Sequence, residues 1–393
     1  MATPTPDTYT VPAGQPIFAG LSSNPVAASV ASAGSVSMLA KDWSGTGFQL
    51  LTTIPDGLFM VNLPGHSGSA WDEARQRLWV FGSETHGPAQ TDNAVYCWDA
   101  NTGLTHRMYD ADPRTGAYHF TADGGMFADA AETRPWGMHT FRNLWYYPTT
   151  KEIAVTSDAY DHSYAESWTP PPAGISYASA RKMPIWFYNT VTGKWRYQVS
   201  NAAHTFSTAE LGAGLARKPG DGCWKVGGNS LYHLSEDGNT VNSYSIYGKL
   251  TSTLIQSYAH IVANDKLVLI GGDTDTQFGL VCDLSNPAGG DHHMLPLSLF
   301  PALSGWNVKN MWSMVMPDGR VLFGAYRGSP QQVGAFIFDF NNGSPVVTDT
   351  GYRLAASAGT SYYELRSAWS TKHNCAFIMS VRHGGHKVYG LRV

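Results

Sequence analysis

The sequence predicts an all-β fold, a six-bladed β-propeller that is preceded by an extended N-terminal arm. Three observations predict it: a unit of four short strands that recurs, turn residues that mark each unit, and an N-terminal strand that completes the last unit. The composition agrees, because aromatic residues make up 12% of the 393 residues, charged residues only 14%, and glycine occupies 41 positions. Such a chain suits many short packed strands joined by tight turns.

The unit is clearest over residues 68–107, where three short apolar runs are separated by turns and a fourth run follows. In the first five units the third run ends at a short polar residue that can bond the backbone two residues on, with glycine a few residues later. These marker residues are Asp99, Asn189, Ser235, Asp283 and Asp339. They recur at about 50 residues, the period of a propeller blade, and the first interval of roughly 90 indicates one blade with long insertions.

In each unit two further strands precede the strand that ends at the marker. A sixth unit follows the last marker, Asp339. We predict second strands at 77–82, 152–157, 223–228, 266–272, 320–325 and 375–380, each with a first strand before it. The third strand of the sixth unit, 387–393, ends the chain. We expect a strand at 47–54 or 57–63 to supply its fourth strand, because that exchange leaves no exposed sheet edge.

The units resemble the kelch and galactose-oxidase type of propeller. Gly227-Gly228 and Gly271-Gly272 stand where kelch repeats place a double glycine after the second strand, and Thr192-Gly193-Lys194-Trp195 matches the turn before the fourth strand. Only two units keep the double glycine, and one keeps that tryptophan. The resemblance covers about residues 46–393 and implies a fold, not an activity.

Residues 1–45 form a separate segment that is rich in small residues and proline. Asp7, Lys41 and Asp42 are its only ionic side chains. We predict a docking arm at 1–45 that binds neighbouring subunits, followed by the propeller at 46–393; the alternative is a flexible tail.

The remaining bulk features argue against several classes of protein. Net charge is −4 without a basic run, which argues against a nucleic-acid surface. The N-terminus lacks the pattern of a signal peptide, and no apolar run reaches the roughly 18 residues that cross a bilayer. The four cysteines are expected to be buried free thiols inside strands of four different units: Cys97, Cys223, Cys282 and Cys375.

Connection lengths predict where ligands bind. The first-to-second and most third-to-fourth connections are short, whereas the second-to-third and fourth-to-next-first connections are long. In an up-and-down blade the two long classes emerge on one face, and long loops on a rigid scaffold form binding surfaces. The largest insertions are 110–138 and 157–183.

Aromatic and polar side chains in the long connections are the candidate ligand-binding residues. Rings beside short polar groups suit sugars or a protein partner, although the alternative is that they pack on one another. The candidates are Trp136, Asp158, Tyr160, Asp161, His162, Tyr164, Trp168, His86, Arg327 and His383.

No catalytic residue, metal or cofactor is predicted. A galactose-oxidase-like copper site needs two histidines and two tyrosines, one cross-linked to a cysteine, and none of the cysteines lies in a loop near a tyrosine. No nucleophile elbow, zinc, phosphate-loop or dinucleotide motif occurs. Carboxylates for glycoside hydrolysis are present in the insertions, at Asp129, Glu132, Asp158, Asp161 and Glu166, without a spacing that selects a pair.

The sequence therefore favours a non-enzymatic structural or adhesion component of a larger assembly. In general style it is similar to tail and receptor-binding proteins of bacterial viruses. That resemblance implies a virion location after synthesis in the host cytoplasm, virion subunits bound through residues 1–45, a homo-oligomer or larger complex, and a surface glycan or receptor as ligand. Two alternatives remain open: a carbohydrate-active hydrolase or lyase, and a cytoplasmic kelch-type interaction module.

Overall fold

The structure is a computed structural model of the 393-residue chain. It describes residues 30–31, 35–54, 67–82, 92–111, 119–120, 126–128, 133–138, 140, 142–156, 184–199, 214–227, 229–236, 240–246, 257–271, 277–308, 311–340, 344–355, 365–380 and 386–393.

These residues form an all-β, six-bladed β-propeller, as predicted. The chain divides into two compact units, of which the first comprises Met1–Gly34, Pro55–Ala100 and Leu104–Thr208, and the second comprises Ser35–Ile54, Asn101–Gly103 and Ala209–Val393. The N-terminal strands are β1 (Val30–Ala31), β2 (Ser35–Val36) and β3 (Gly47–Ile54).

The first unit contains two antiparallel blades. Blade 1 consists of β4 (Gly68–Asp72), β5 (Arg77–Phe81), β6 (Tyr96–Asp99) and β7 (Leu104–Arg107). A short hairpin follows, β8 (His119–Phe120) and β9 (Met126–Phe127). Blade 2 consists of β10 (Leu144–Tyr147), β11 (Glu152–Thr156), β12 (Pro184–Asn189) and β13 (Trp195–Val199). The first strands β4 and β10 lie against each other.

The second unit contains the other four blades. Blade 3 consists of β14 (Leu215–Lys218), β15 (Gly222–Gly227), β16 (Ser230–Ser235) and β17 (Val241–Ser245). Blade 4 consists of β18 (Tyr258–Val262), β19 (Lys266–Ile270), β20 (Gln277–Asp283) and β21 (His293–Pro296). Blade 5 consists of β22 (Ser313–Val315), β23 (Val321–Gly328), β24 (Gln331–Asp339) and β25 (Val346–Ala355). Blade 6 consists of β26 (Leu365–Ser370), β27 (Cys375–Ser380), β28 (His386–Arg392) and the N-terminal strand β3.

Strand exchange completes blade 6, as expected. β3 pairs antiparallel with β28, from Gly47 opposite Arg392 to Ile54 opposite His386. Of the two predicted donors, the earlier one is therefore correct, and residues 57–63 lie outside the described residues. The arm also contributes edge strands, because β2 pairs with β3 and β1 pairs with β7.

Each predicted marker is the last residue of its third strand, at the ends of β6, β12, β16, β20 and β24. The turn chemistry is visible at Asn189, whose side-chain oxygen accepts hydrogen bonds from the backbone N–H groups of Val191 and Thr192. Gly193 then adopts a φ of 67°. The marker pattern therefore reports a local hydrogen-bonding requirement, which explains why it could be found in the sequence.

Alternating apolar side chains fill the space between blades. The second strands β11 and β15 are buried along their whole length, and Val268 and Phe323 share one apolar cluster between blades 4 and 5. The four cysteines are free and buried, in β6, β15, β20 and β27, as predicted. Helix is confined, among the described residues, to 3₁₀ turns at Ala40–Asp42, Ala263–Asp265, Leu297–Leu299 and Pro301–Leu303. In the described part of the chain no helix has the length and hydropathy to cross a membrane.

Candidate functional site

A pocket lies at the end of blade 5 where the long connections emerge. Its volume is about 330 Å³. One wall is the connection from β21 to β22, and the other is the end of β23 that projects towards its hairpin turn. The lining includes Leu297, Trp306, Asn307, Tyr326, Arg327 and Gly328.

The β21–β22 connection is held rigidly against the blade. Two 3₁₀ turns bring the chain to Gly305, which has a φ of 76°, and the backbone N–H of Trp306 donates to the carbonyl of Leu303 at 2.9 Å. Asn307 and Tyr326 then exchange two backbone hydrogen bonds of 2.7 Å. The pocket wall is therefore tied to a central strand by main-chain bonds, although it is formed by a connection.

Trp306 is the centre of the site. It is 7% exposed and packs edge-on against Phe336, with ring centroids 5.2 Å apart. The guanidinium carbons of Arg327 and Arg353 lie 4.7 and 4.8 Å from the centroid of the Trp306 ring. Two guanidinium groups therefore make cation–π contacts with one indole ring.

An irregularity in the sheet places Arg353 at this site. Arg353 lies opposite Gly334, and Asp349 lies opposite Phe336. Four steps along β25 therefore face two steps along β24, so β25 contains two extra residues between these pairs. Gly351 in this bulge has a φ of 79°, and its N–H donates to Asp349 Oδ1 at 2.8 Å. The bulge brings Asp349 and Arg353 into direct contact, with 2.5 Å between Oδ2 and Nη2. Bulges commonly redirect side chains in this way beside functional sites.

The charges at this site do not cancel. Burial acts to raise the pKa of Asp349, but the hydrogen bond from Arg353 and the charges of Arg353 and Arg327 outweigh it and hold that pKa below its usual value. Asp349 is therefore ionised at neutral pH beside two guanidinium groups. Arg353 also donates to the backbone oxygen of Tyr352 at 2.9 Å, whereas the buried Nε of Arg327 has no hydrogen-bond partner among the described residues.

The structure places two of the ten sequence-predicted site residues. Arg327 lines the pocket. Trp136 is 1% exposed and packs against Trp186 in the aromatic core of the first unit, with ring centroids 6.4 Å apart, so its ring has the packing role given above as the alternative. The other eight residues lie outside the described part of the chain: His86, Asp158, Tyr160, Asp161, His162, Tyr164, Trp168 and His383. The same holds for the five candidate carboxylates: Asp129, Glu132, Asp158, Asp161 and Glu166.

Sequence reasoning missed Trp306, Asp349 and Arg353. Trp306 stands in a connection that was recognised as long, so an aromatic residue there was a usable signal. Asp349 and Arg353 lie in a run of ten residues that pairs as one strand, and regular alternation does not reveal their contact.

A second polar pair lies on the first strands of blades 4 and 5. His260 Nε2 and Ser313 Oγ share a hydrogen bond of 2.7 Å, and both residues are buried, 8% and 3% exposed. Burial lowers the pKa of His260 to about 3, so the imidazole is neutral at physiological pH. A neutral imidazole beside a hydroxyl is the arrangement of a general base and a nucleophile, although a satisfied buried histidine has the same geometry.

Metal-binding and thiol chemistry are not supported by the described residues. Among them, no cluster of three or more histidine, cysteine, aspartate or glutamate residues could hold a metal ion. Burial raises the pKa of Cys97, Cys282 and Cys375 to about 12, which keeps these thiols protonated and unreactive.

Neither a protein-family profile nor a curated protein sequence matches this chain. Solved structures do match. A fungal alcohol oxidase of the AA5 family, in complex with copper, is 12% identical over 88% of this chain and 77% of its own, with a TM-score of 0.48. Hydrazine synthase of Kuenenia stuttgartiensis is 12% identical over 83% of this chain and 76% of its own, with a TM-score of 0.43.

A third match is an S. cerevisiae complex of dbp5, nup159 and gle1, of which one chain is 7% identical over 88% of this chain and 96% of its own, with a TM-score of 0.38. At these identities and TM-scores, the fold assignment rests on the strand pairing described above.

Proposed function

We propose that this chain is a non-enzymatic binding component of a larger assembly, of the kind that bacterial viruses use in tails and for receptor attachment. The observation that carries the proposal is the pocket at the loop end of blade 5. Its walls combine a guanidinium group, aromatic rings and backbone groups, the combination by which proteins fix the orientation of a polar ligand. Its support is rigid, since Asn307 and Tyr326 bond through their main chains.

The virion assignment rests on the general style of the sequence, and it predicts surface polysaccharide as the ligand class. An attachment protein must hold its receptor without consuming it. The proposal therefore separates binding from turnover, and both can be measured on one sample.

The test uses the full chain, immobilised and exposed to a panel of bacterial surface polysaccharides, with binding followed by biolayer interferometry. Each polysaccharide is then sized by gel filtration after overnight incubation with the protein. Retention of at least one polysaccharide at unchanged length is expected. Absence of binding across the panel, or shortening of a bound polysaccharide, contradicts the proposal.

The second candidate is a hydrolase, and the hydrogen bond between His260 and Ser313 favours it. In that function the neutral imidazole would accept the hydroxyl proton as Ser313 Oγ attacks the carbonyl carbon of an ester substituent on a glycan; the alcohol would leave with that proton, and water would then hydrolyse the acyl-serine. A separate assay decides: release of acetate from an O-acetylated polysaccharide that disappears in S313A supports the hydrolase, whereas release that persists in S313A excludes this pair as its source.

A further inference from the structure

The guanidinium group of Arg327 is held in place without a partner for its buried Nε. Its carbon lies 4.7 Å from the centroid of Trp306, and the buried Nε has no hydrogen-bond acceptor among the described residues.

The charge balance specifies what the acceptor should be. Two guanidinium groups share one carboxylate, and Asp349 is bound directly by Arg353. Arg353 is also committed to the carbonyl of Tyr352. The excess positive charge therefore lies with Arg327, on the side that lines the pocket.

We propose that this pocket binds an anionic group, a carboxylate or a phosphate, carried by a sugar of a surface glycan, with Arg327 as the donor that recognises it. This inference rests on the proposed function and names the ligand class of its site. Arginine suits both groups, because its fork of N–H donors matches two oxygens at once. A volume of about 330 Å³ is at the small end of ligand pockets, which indicates recognition of about one charged sugar.

Trp306 acts here as a support for the cation and not as the platform for a sugar. Its ring is 7% exposed, and two guanidinium groups lie over it. Specificity should therefore follow the charge of the ligand more than its stacking face. A neutral sugar of the same shape should bind weakly.

The test measures binding of matched charged and neutral probes to the full chain by isothermal titration calorimetry. In the carboxylate arm, digalacturonate is compared with its dimethyl ester; in the phosphate arm, glucose 6-phosphate is compared with glucose. We expect the charged probe of at least one pair to bind at least tenfold more tightly than its neutral counterpart. The pair whose charged probe binds more tightly identifies the charged group. Equal binding of charged and neutral members, or no binding in either arm, overturns the inference.

Two substitutions assign the effect to Arg327. R327Q should weaken binding of the charged probe at least tenfold, and R327K should weaken it by a smaller factor because the charge stays while the fork is lost. The control is R320Q, since Arg320 lies in the turn before β23 at the other end of the blade, paired with Asp318. Thermal melts confirm folding of each variant, and a folded R327Q that binds like the parent chain overturns the inference.

Failure of this inference is distinguishable from failure of the proposed function. If the full chain retains a polysaccharide and R327Q retains it as well as the parent does, attachment stands and anion recognition by Arg327 is wrong. If no polysaccharide is retained at all, the proposed function is wrong as well.

Discussion

His260 shows how one buried side chain links the fold to solution pH. It is 8% exposed, shares a hydrogen bond with Ser313, and lies parallel to the ring of Tyr258 with 6.1 Å between ring centroids. Burial lowers its pKa to about 3, whereas an unfolded histidine titrates near about 6.5. Between these values the unfolded chain binds a proton that the folded chain does not.

The folded state should therefore lose stability as pH falls below about 6.5, with a contribution from His260 of up to about 1.4 kcal/mol per pH unit. Urea unfolding of the parent chain and of H260Q at pH 7.0, 6.0 and 5.0 measures this contribution as the difference between their slopes. The parent should show the steeper loss.

Identical slopes for the parent and H260Q would show that folding does not lower the pKa of His260.

Residues at turns could be predicted from the sequence, and residues at the site mostly could not. Asn189 marks a strand end because its own side chain bonds the next two backbone N–H groups, a requirement that is local and therefore visible. Arg327 was among the predicted ligand-binding residues, and it lines the pocket. Arg353 reaches the same tryptophan through a bulge, and its partner Asp349 is four positions away in a run that reads as a regular strand.

At the scale of elements, the hairpin of β23 and β24 forms the frame of the site. Its strands continue in register from Val321 opposite Phe338 to Gly328 opposite Gln331, beyond the core of the blade. Gly334 lies where Trp306 crosses this hairpin, and a Cβ atom there would be 2.9 Å from Trp306 Cη2 and 2.9 Å from Phe336 Cε2. The absence of a side chain at Gly334 thus lets the indole lie against the sheet.

G334A should destabilise the fold by about 1–3 kcal/mol, the usual cost of overpacking a core, because both neighbouring rings must move. Urea unfolding checks the stability. Binding of the charged probe should weaken in the same variant, since Arg327 and Arg353 both rely on the position of Trp306.

The matched control is G328A in the same hairpin. A Cβ atom at Gly328 would approach Tyr326 no closer than 3.7 Å, an ordinary contact, so this variant should be close to neutral in stability. If G334A proved as stable as G328A, Trp306 would not be held by the close approach at Gly334.

At the scale of the whole molecule, the recurrence of the unit made the fold predictable while the function stayed open. Six blades could be counted because five repeat the same strand-ending turn and the sixth repeats the strands before it, and closure by β3 followed from the missing fourth strand of the last blade. The individual connections differ from blade to blade, so repetition carries no information about them. The same chain therefore predicts its scaffold well and its ligand poorly.

The N-terminal arm is where the assembly hypothesis can be tested on the intact molecule. β2 and β1 show that the end of the arm forms edge strands on blades of its own chain, through Val36 opposite Thr52 and Val30 opposite Arg107. Residues 1–29 carry one ionic side chain, Asp7, so little charge opposes their addition to a sheet edge of another subunit.

We expect the full chain to self-associate and a shortened chain that starts at Ser35 to be a monomer. The melting temperature of the shortened chain should lie within about 4 °C of the parent, because loss of the short β1 pairing should cost no more than about 1 kcal/mol. Light scattering after gel filtration measures the masses. V30P in the full chain tests the pairing of β1 with β7 separately from self-association. It should disturb that pairing and leave self-association through residues 1–29 intact. Equal monomer masses for the full and shortened chains would refute the docking role, because residues 1–34 would then add no contact between subunits.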